Sequence, residues 1–422
     1  MLTIHAAPVV LSMVGGAGAV RDGAVAVEGA GVVAVGEEGE LRERFPRARV
    51  RRWPGVLMPG LVNAHAHLQY SDFAELAAGD LAFPEWIRRL SAMRARFDAT
   101  AWQESTRRGI HALLRTGTTA AADVVTDPEV LVTTARSGLA GVSYLEVVSA
   151  GPANWAVKRE ALLGALASAP AGRRLGLSPH TPYTVGTDAF RECVAIARGR
   201  GLRLHPHLAE TPEEAEYVLS GSGALAGLVP MLELEASGGC GLTPPAYLDG
   251  IGALGPDVHV AHGTHCAAED RKLLAARGTA VAVCVRSNAL LGAGEPPLAD
   301  YLAEGVPLAV GTDSLASTPS LDLWEEALAA RDLARRQGYA SPDLERRLVE
   351  AMTRGGAAAM GLGDGDVTEG AIGVLRPGAR ADLAVFDVSV PPGADPWGVL
   401  VEGAAGRCVA TVLGGRLVHR RA

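Results

Sequence analysis

The sequence predicts an α/β protein, a (β/α)8 TIM barrel carrying a small β-sandwich domain built from both chain termini. Three observations lead there. The middle of the chain alternates strand-like apolar runs with longer helical patterns, which points to a parallel sheet. Both ends instead alternate short apolar runs with glycine turns. Several central strands finish in histidine or aspartate, and a barrel gathers its C-terminal strand ends on one face.

Taken in order, residues 1–56 contain LTIHAAPVVL, GAVAVEGAGVVAVGE and VRRWPG, the pattern of strands and hairpins. They are assigned to the small domain. Residues 57–365 are assigned to the barrel, with candidate strands at 55–62, 118–125, 140–148, 174–180, 202–208, 257–262, 279–285 and 306–313. Between the first two strands, FPEWIRRLSAMRARFDATAWQESTRRGIHALLRTG is long enough for two helices. The segment from about 219 to 250, rich in Gly, Pro and Leu, is a long connection of the kind that forms lids or substrate walls. Within it TPPAY (243–247) is placed at the edge of the site. Residues 366–422, with GAIGVLRPGARADLAVFDVSV and GRCVATVLGGRLVHR, complete the small domain. A doubly wound open sheet competes on the alternation alone. It would not bring the ends of the first, fifth, sixth and eighth strands together.

Composition narrows the class. The 422 residues are 48% hydrophobic and 20% charged, ordinary for a folded enzyme and wrong for a disordered chain. A formal net charge of -8 argues against nucleic acid or an anionic membrane as partner. The five cysteines are scattered without a C-x-x-C pair, so free thiols in a reducing cytoplasm are expected. The N-terminus lacks a basic region before its apolar run, and glycines interrupt that run, so no signal peptide is expected. No apolar run approaches the ~20 residues of a spanning helix.

Chemistry concentrates at the strand ends. PGLVNAHAHLQY sets His65 and His67 two apart, so strand periodicity points both imidazoles the same way, as two ligands of one metal require. LRLHPHLAET offers His205 and His207, with Glu210 beyond. His207, nearer the strand end, is the expected ligand, and His205 a supporting or core residue. VHVAHGTHC carries His262 at its strand end, His265 in the following turn, and His259 facing away as a structural residue. VPLAVGTDSLAS ends on Asp313, which alone would read as a helix cap. Four strands each delivering a ligand-type residue at one end favour a shared site.

These motifs, together with SPHTPYTV, CVRSN and GVLRPGARADLAVFD, resemble the amidohydrolase superfamily along nearly the whole chain, in its adenosine-type deaminase and chlorohydrolase branch. The resemblance implies that His65, His67, His207 and Asp313 bind one divalent metal, zinc or alternatively iron(II). It implies that His262 orients the attacking water or the substrate. Binuclear members use a carboxylated lysine from the fourth strand; RLGLSPH has none, so a mononuclear site is expected. A divalent metal lowers the pKa of a coordinated water toward neutrality. Asp313 would take its proton, Glu210 would protonate the ring nitrogen beside the C–NH2 carbon, and Asp313 or Glu210 would then deliver a proton so that ammonia departs. The H-x-E and P-C-x-x-C signature of the cytidine-type zinc deaminases is absent.

The pairing of CVRSN with GTDSLAST is most similar to aminodeoxyfutalosine deaminases, which act on a modified adenosine with a benzoate tail in the futalosine route to menaquinone. Val285 stands where proline is common, and Thr318-Pro319 replaces an Asn-containing turn. On this reading His180 and Glu146 contact the nucleoside, Trp86 stacks on the purine and Arg286 faces the benzoate carboxylate, unless it pairs within the barrel rim. Rival readings are deaminases of adenosine, S-adenosylhomocysteine, methylthioadenosine or guanine, an imidazolone-ring hydrolase, or a barrel that only binds. A homodimer is a reasonable expectation for such a barrel.

Overall fold

The computed structural model describes residues 2–421 apart from 16–17, 80, 82, 150, 229–238, 364, 366 and 368. Strands β1 (Thr3–Leu11), β2 (Ala19–Glu28), β3 (Gly31–Glu37), β4 (Arg49–Arg52) and β5 (Val56–Pro59) come from the N-terminal part. The barrel strands are β6 (Leu61–Ala66), β7 (Thr118–Val125), β8 (Ala140–Val147), β9 (Arg174–Pro179), β10 (Arg203–Leu204), β11 (His207–Leu208), β12 (His259–His262), β13 (Ala280–Val283) and β14 (Leu308–Val310). At the C-terminal end follow β15 (Leu383–Phe386), β16 (Cys408–Leu413) and β17 (Arg416–Arg420).

The terminal strands form one sheet in the order β17-β16-β15-β5-β1-β2-β3. Strand β1 pairs antiparallel with β2 along one edge; its other edge takes β4 beside Thr3–Ala6 and β5 beside Val9–Val10, so the sheet forks. The two ends of the chain meet where β15 pairs antiparallel with β5.

The central strands are parallel, β10-β9-β8-β7-β6 on one side and β11-β12-β13-β14 on the other. Two junctions close the ring. Leu204 bridges to Val258, and the Thr312 and Asp313 amides both donate to the His65 carbonyl at 3.1 and 3.0 Å. Residues of β6 and β7 are buried along their whole length, as expected for strands with side chains inside and helices outside. The chain is therefore a (β/α)8 barrel with a terminal sheet attached.

The strand expected at 55–62 is in fact two. Val56–Pro59 belongs to the terminal sheet and Leu61–Ala66 opens the barrel. The break falls at Gly60, where an added Cβ would lie 2.1 Å from Thr119 Oγ1. A continuous apolar run hid this handover, because period-2 patterning does not say which sheet a strand joins. The fifth strand is likewise split by Pro206, which has no N–H to donate, although its carbonyl still accepts from Ala261 at 3.0 Å.

The long segment between β6 and β7 resolves into two helices, as its length predicts, Phe83–Arg94 and Ala99–Arg115. The second is capped by Asp98, which accepts from the Ala101 amide, and buries Trp102, Ile110, Leu113 and Leu114 on one stripe. Of the 219–250 connection, residues 229–238 lie outside the described residues. TPPAY forms the start of a helix, Pro244–Gly250, capped by Thr243. It is not among the residues lining the cavity at the barrel mouth, and the Tyr247 hydroxyl meets Thr187 Oγ1 at 2.8 Å. All five cysteines are unpaired, four of them buried. Among the described residues no helix is long and apolar enough to cross a membrane.

Candidate metal and active site

His65 lies in β6, and His67 immediately follows it. The register between β6 and β7 slips between Asn63 and Ala66, a bulge that re-aims the strand end. Asn63 staples this end to the eighth strand: its amide donates to Thr312 Oγ1 (2.7 Å), and its carbonyl accepts from the His65 and Thr312 amides. Gly311 lets the two strands touch, since a Cβ there would meet His65 Cβ at 2.6 Å.

Four side chains converge at the mouth. His67 Nε2 lies 3.1 Å from His207 Nε2, and Asp313 Oδ1 lies 3.5 Å from His65 Nε2 and 3.6 Å from His67 Nε2. The other oxygen, Asp313 Oδ2, accepts from Ser287 and Ser317 hydroxyls at 2.7 Å each. Behind it, His262 Nε2 is 3.6 Å from Glu210 Oε1, while His262 Nδ1 meets Asn288 Oδ1 at 2.9 Å.

A buried relay sets the tautomer of His65. His205 Nδ1 lies 2.9 Å from the His259 carbonyl, which can only accept, so that nitrogen carries the proton. His205 Nε2 is then a bare acceptor, and at 2.8 Å it takes a hydrogen bond from His65 Nδ1. A neutral His65 must therefore present an unprotonated Nε2, which has no hydrogen-bond partner and is fully buried. Burial lowers the His65 pKa to about 4, against the raising effect of Asp313, and it lowers those of His67 and His207 as well. The bare Nε2 of His65 and the Asp313 carboxylate oxygen thus face each other at 3.5 Å with no donor between them, beside the close Nε2 atoms of His67 and His207. A bound cation resolves that repulsion, and this donor set fits a divalent metal.

Among the described residues, three overlapping groups bring ligand atoms within 4.8 Å of one another: His65, His67 and His207; His65, His262 and Asp313; and Glu146, His180 and His207. The first two share His65 and describe one place. In the third, His180 Nε2 is 4.0 Å from Glu146 Oε1, His180 Nδ1 meets Thr184 Oγ1 at 2.8 Å, and Thr126 donates to Glu146 Oε2 at 2.7 Å.

The two carboxylates beside the histidines are tuned apart. Burial pushes Glu210 up, only partly offset by His262, and the nearby Asp313 charge adds to the rise. Burial also acts to raise Asp313, but its contact with His65 and its attraction to the protonated forms of His65, His67 and His262 overcome this and hold it well below the usual carboxylate range.

The backbone is strained where it delivers these groups. Ala209, His262 and Asp313 have φ of 51, 71 and 62°, three of only five described non-glycine residues with positive φ. Each costs on the order of 1–3 kcal/mol and persists because its surroundings hold it. At Ala209 the clamp is the buried Glu214 carboxylate, which accepts from the Ala209 and Glu210 amides at 2.8 and 2.9 Å.

The cavity above the cluster measures about 920 Å³ including its mouth. His67, Glu146, His180, His207, Glu210, His262, Asp313 and Trp86 all line it. Trp86 stacks on Phe83 at 6.1 Å and donates its indole N–H to the Ala316 carbonyl at 2.9 Å. Arg286 is not brought there. It points into the rim, paired with Glu325 at 2.7 Å and Glu326 at 3.7 Å, because the acidic first turn of helix Leu323–Arg336 lies beside it. His265 is also turned away, onto the Ala293 carbonyl.

Sequence reasoning missed Arg94, Tyr70, Phe83 and Tyr183 in the cavity wall, and Ser287, Asn288 and Ser317 behind Asp313 and His262. The last three sit in CVRSN and TDSLAS, so the motifs marked them. Nothing local marks Arg94, one arginine among several on its helix.

Residues 56–418 match the amidohydrolase family. An aminodeoxyfutalosine deaminase from Deinococcus radiodurans is 35% identical over 82% of this chain and 82% of its own length. A 5-methylthioadenosine/S-adenosylhomocysteine deaminase from Pelotomaculum thermopropionicum is 29% identical over 96% of this chain and 90% of its own. The crystal structure of an adenosine deaminase from Xanthomonas campestris with bound zinc superimposes with a TM-score of 0.84 at 25% identity, covering 99% of this chain and 93% of that one. The chain belongs to the amidohydrolase family, and its deaminase relatives make it a hydrolase of carbon–nitrogen bonds in cyclic amidines.

Proposed function

We propose that the chain is a zinc-dependent hydrolytic deaminase of a 6-aminopurine nucleoside, and that this nucleoside is aminodeoxyfutalosine, handled in the cytoplasm on the way to menaquinone. The observation that carries the reading is the convergence of His65, His67, His207 and Asp313 at one barrel mouth, with Glu210 and His262 beside them. A carboxylate at the cation site and a second carboxyl beside His262 can divide the labour of base and acid. The relatives' names support a nucleoside substrate.

In this reading His65, His67, His207 and Asp313 hold the cation, which when bound supplies Lewis acidity and a more acidic water. Asp313 keeps Oδ2 on its two serines and offers Oδ1 as the base that takes a proton. Glu210, whose pKa burial raises, is the acid that gives the purine ring nitrogen its proton before the C–NH2 carbon is attacked. His262, fixed through Nδ1 by Asn288, presents Nε2 to the reacting centre. Trp86 and Phe83 offer an aromatic wall to the base, and His180 and Glu146 polar contacts to the sugar.

The test is turnover by zinc-loaded protein of aminodeoxyfutalosine, adenosine, S-adenosylhomocysteine and methylthioadenosine, read as loss of adenine absorbance and release of ammonia. A preference for aminodeoxyfutalosine is expected, abolished by chelation of about one metal per chain. Glu210→Gln should lower kcat by roughly 10²–10⁴-fold while leaving metal content intact. Preference for methylthioadenosine or S-adenosylhomocysteine would move the substrate to the second relative's. Release of no ammonia from any of the four by metal-loaded protein would overturn the reading.

A further inference from the structure

We propose that Arg94 receives a carboxylate at the far end of the substrate and so selects nucleosides that carry one. The inference rests on the nucleoside deaminase reading for the rest of the ligand.

Arg94 is the only lysine or arginine among the described residues lining the cavity. Its side chain is 34% exposed, and its nearest carboxylate, Asp127 Oδ2, is 3.9 Å away, beyond hydrogen-bond reach. That carboxylate already accepts from Gln69 at 3.2 Å. Among the described residues the Arg94 guanidinium donates no hydrogen bond; it lies over the Tyr70 ring at 5.8 Å from the centroid. Arg286, by contrast, is 16% exposed and spends its donors on Glu325, Glu326 and Ser320. One arginine is hydrogen-bonded where it stands; the other feels the Asp127 and Glu146 charges but keeps N–H groups that no described residue accepts from. A planar guanidinium matches a carboxylate in a two-point contact, which makes the free one a receptor for that group.

The helix also sets the distance. Phe83, Trp86, Ile87, Leu90 and Arg94 all line the cavity, and their spacing of three and four places them on one face of Phe83–Arg94. At about 1.5 Å per residue, Trp86 and Arg94 are separated by roughly 12 Å along the axis. The wall is therefore aromatic at one end, apolar along its middle at Ile87 and Leu90, and cationic at the other end. A purine, an apolar or aryl tail and a terminal carboxylate follow the same order.

The experiment compares wild type, Arg94→Gln and Arg94→Lys on aminodeoxyfutalosine, its carboxamide and adenosine. Arg94→Gln should raise KM for the carboxylate substrate by about 10–100-fold, the loss expected for a charge-assisted hydrogen bond. It should leave kcat and the two neutral substrates within about 2-fold, with Arg94→Lys recovering part of the loss. An equal loss on all three substrates, or no loss on any, overturns the proposal. A second arm is independent of turnover: calorimetric titration of the metal-loaded protein with benzoate and with benzamide. Wild type should favour benzoate, and Arg94→Gln should erase that preference. A wild type without the preference, or a variant that keeps it, overturns the assignment. If adenosine and its relatives are not deaminated at all, the deaminase reading fails while the benzoate arm still decides for or against Arg94.

Discussion

Replacing His205 with leucine removes the acceptor on which His65 rests, without touching any group that faces the cavity. In the folded chain His65 Nδ1 donates to His205 Nε2 at 2.8 Å, and both rings are fully buried. Leucine leaves the His65 Nδ1–H without a partner, at a cost of about 1–3 kcal/mol for an orphaned buried donor. The alternative tautomer escapes that cost but puts the proton on Nε2, where it opposes a cation. Either way the penalty falls on the metal-loaded state. At about 1.4 kcal/mol per decade, metal affinity should weaken by roughly 5- to 150-fold, in line with the ~10–100-fold typical for groups that support a ligand. His205→Gln is the control, since its amide can accept from His65 and donate to the His259 carbonyl. Competition for zinc against a chromophoric chelator measures the affinities directly. Leucine should weaken binding by that factor and glutamine should restore most of it. Equal affinity in wild type and His205→Leu, with both folded by circular dichroism, would refute the relay.

Two further outcomes follow from groups away from the reacting centre. Burial pushes the Asp123 carboxyl up to about 7, with Arg173 and the Leu68 amide pulling it back. The folded state thus keeps a proton that an unfolded aspartate releases near 3.9, so stability should fall as pH rises from about 4 to about 7, by at most ~4 kcal/mol. Asp123→Asn should flatten that part of the curve relative to wild type in urea titrations, and parallel curves would contradict the assignment. Gly311→Ala drives a methyl to within 2.6 Å of His65 Cβ. It should lower stability by about 1–3 kcal/mol and reduce bound metal; an unchanged Tm with full metal content would mean the strand ends separate more easily than their hydrogen bonds imply.

The barrel was legible because its signals are local. Period-2 runs ending in His65, His207, His262 and Asp313 announce strands whose ends share a face, and neighbouring residues alone create that pattern. The same locality marks the two helices between the first strands and the β-rich ends. The handover at Gly60 was hidden, since only Thr119, a strand away, shows why no side chain fits there. Sequence singled out Arg286 as the cation for a carboxylate and passed over Arg94. Their difference lies in how the fold lays acids beside each: Glu325 within hydrogen-bond reach at 2.7 Å in one case, and Asp127 at 3.9 Å, already bonded to Gln69, in the other.

What the sequence by itself determined is the fold class, the residue types at the strand ends and thus the family chemistry they can support. What only the tertiary structure decided is the state of those groups. The bare Nε2 of His65 depends on a carbonyl at His259, and the opposed tuning of Glu210 and Asp313 depends on burial and on charges from three other strands. Tautomers and pKa values are sums over neighbours that are close in space and remote along the chain. No reading of local pattern contains those sums.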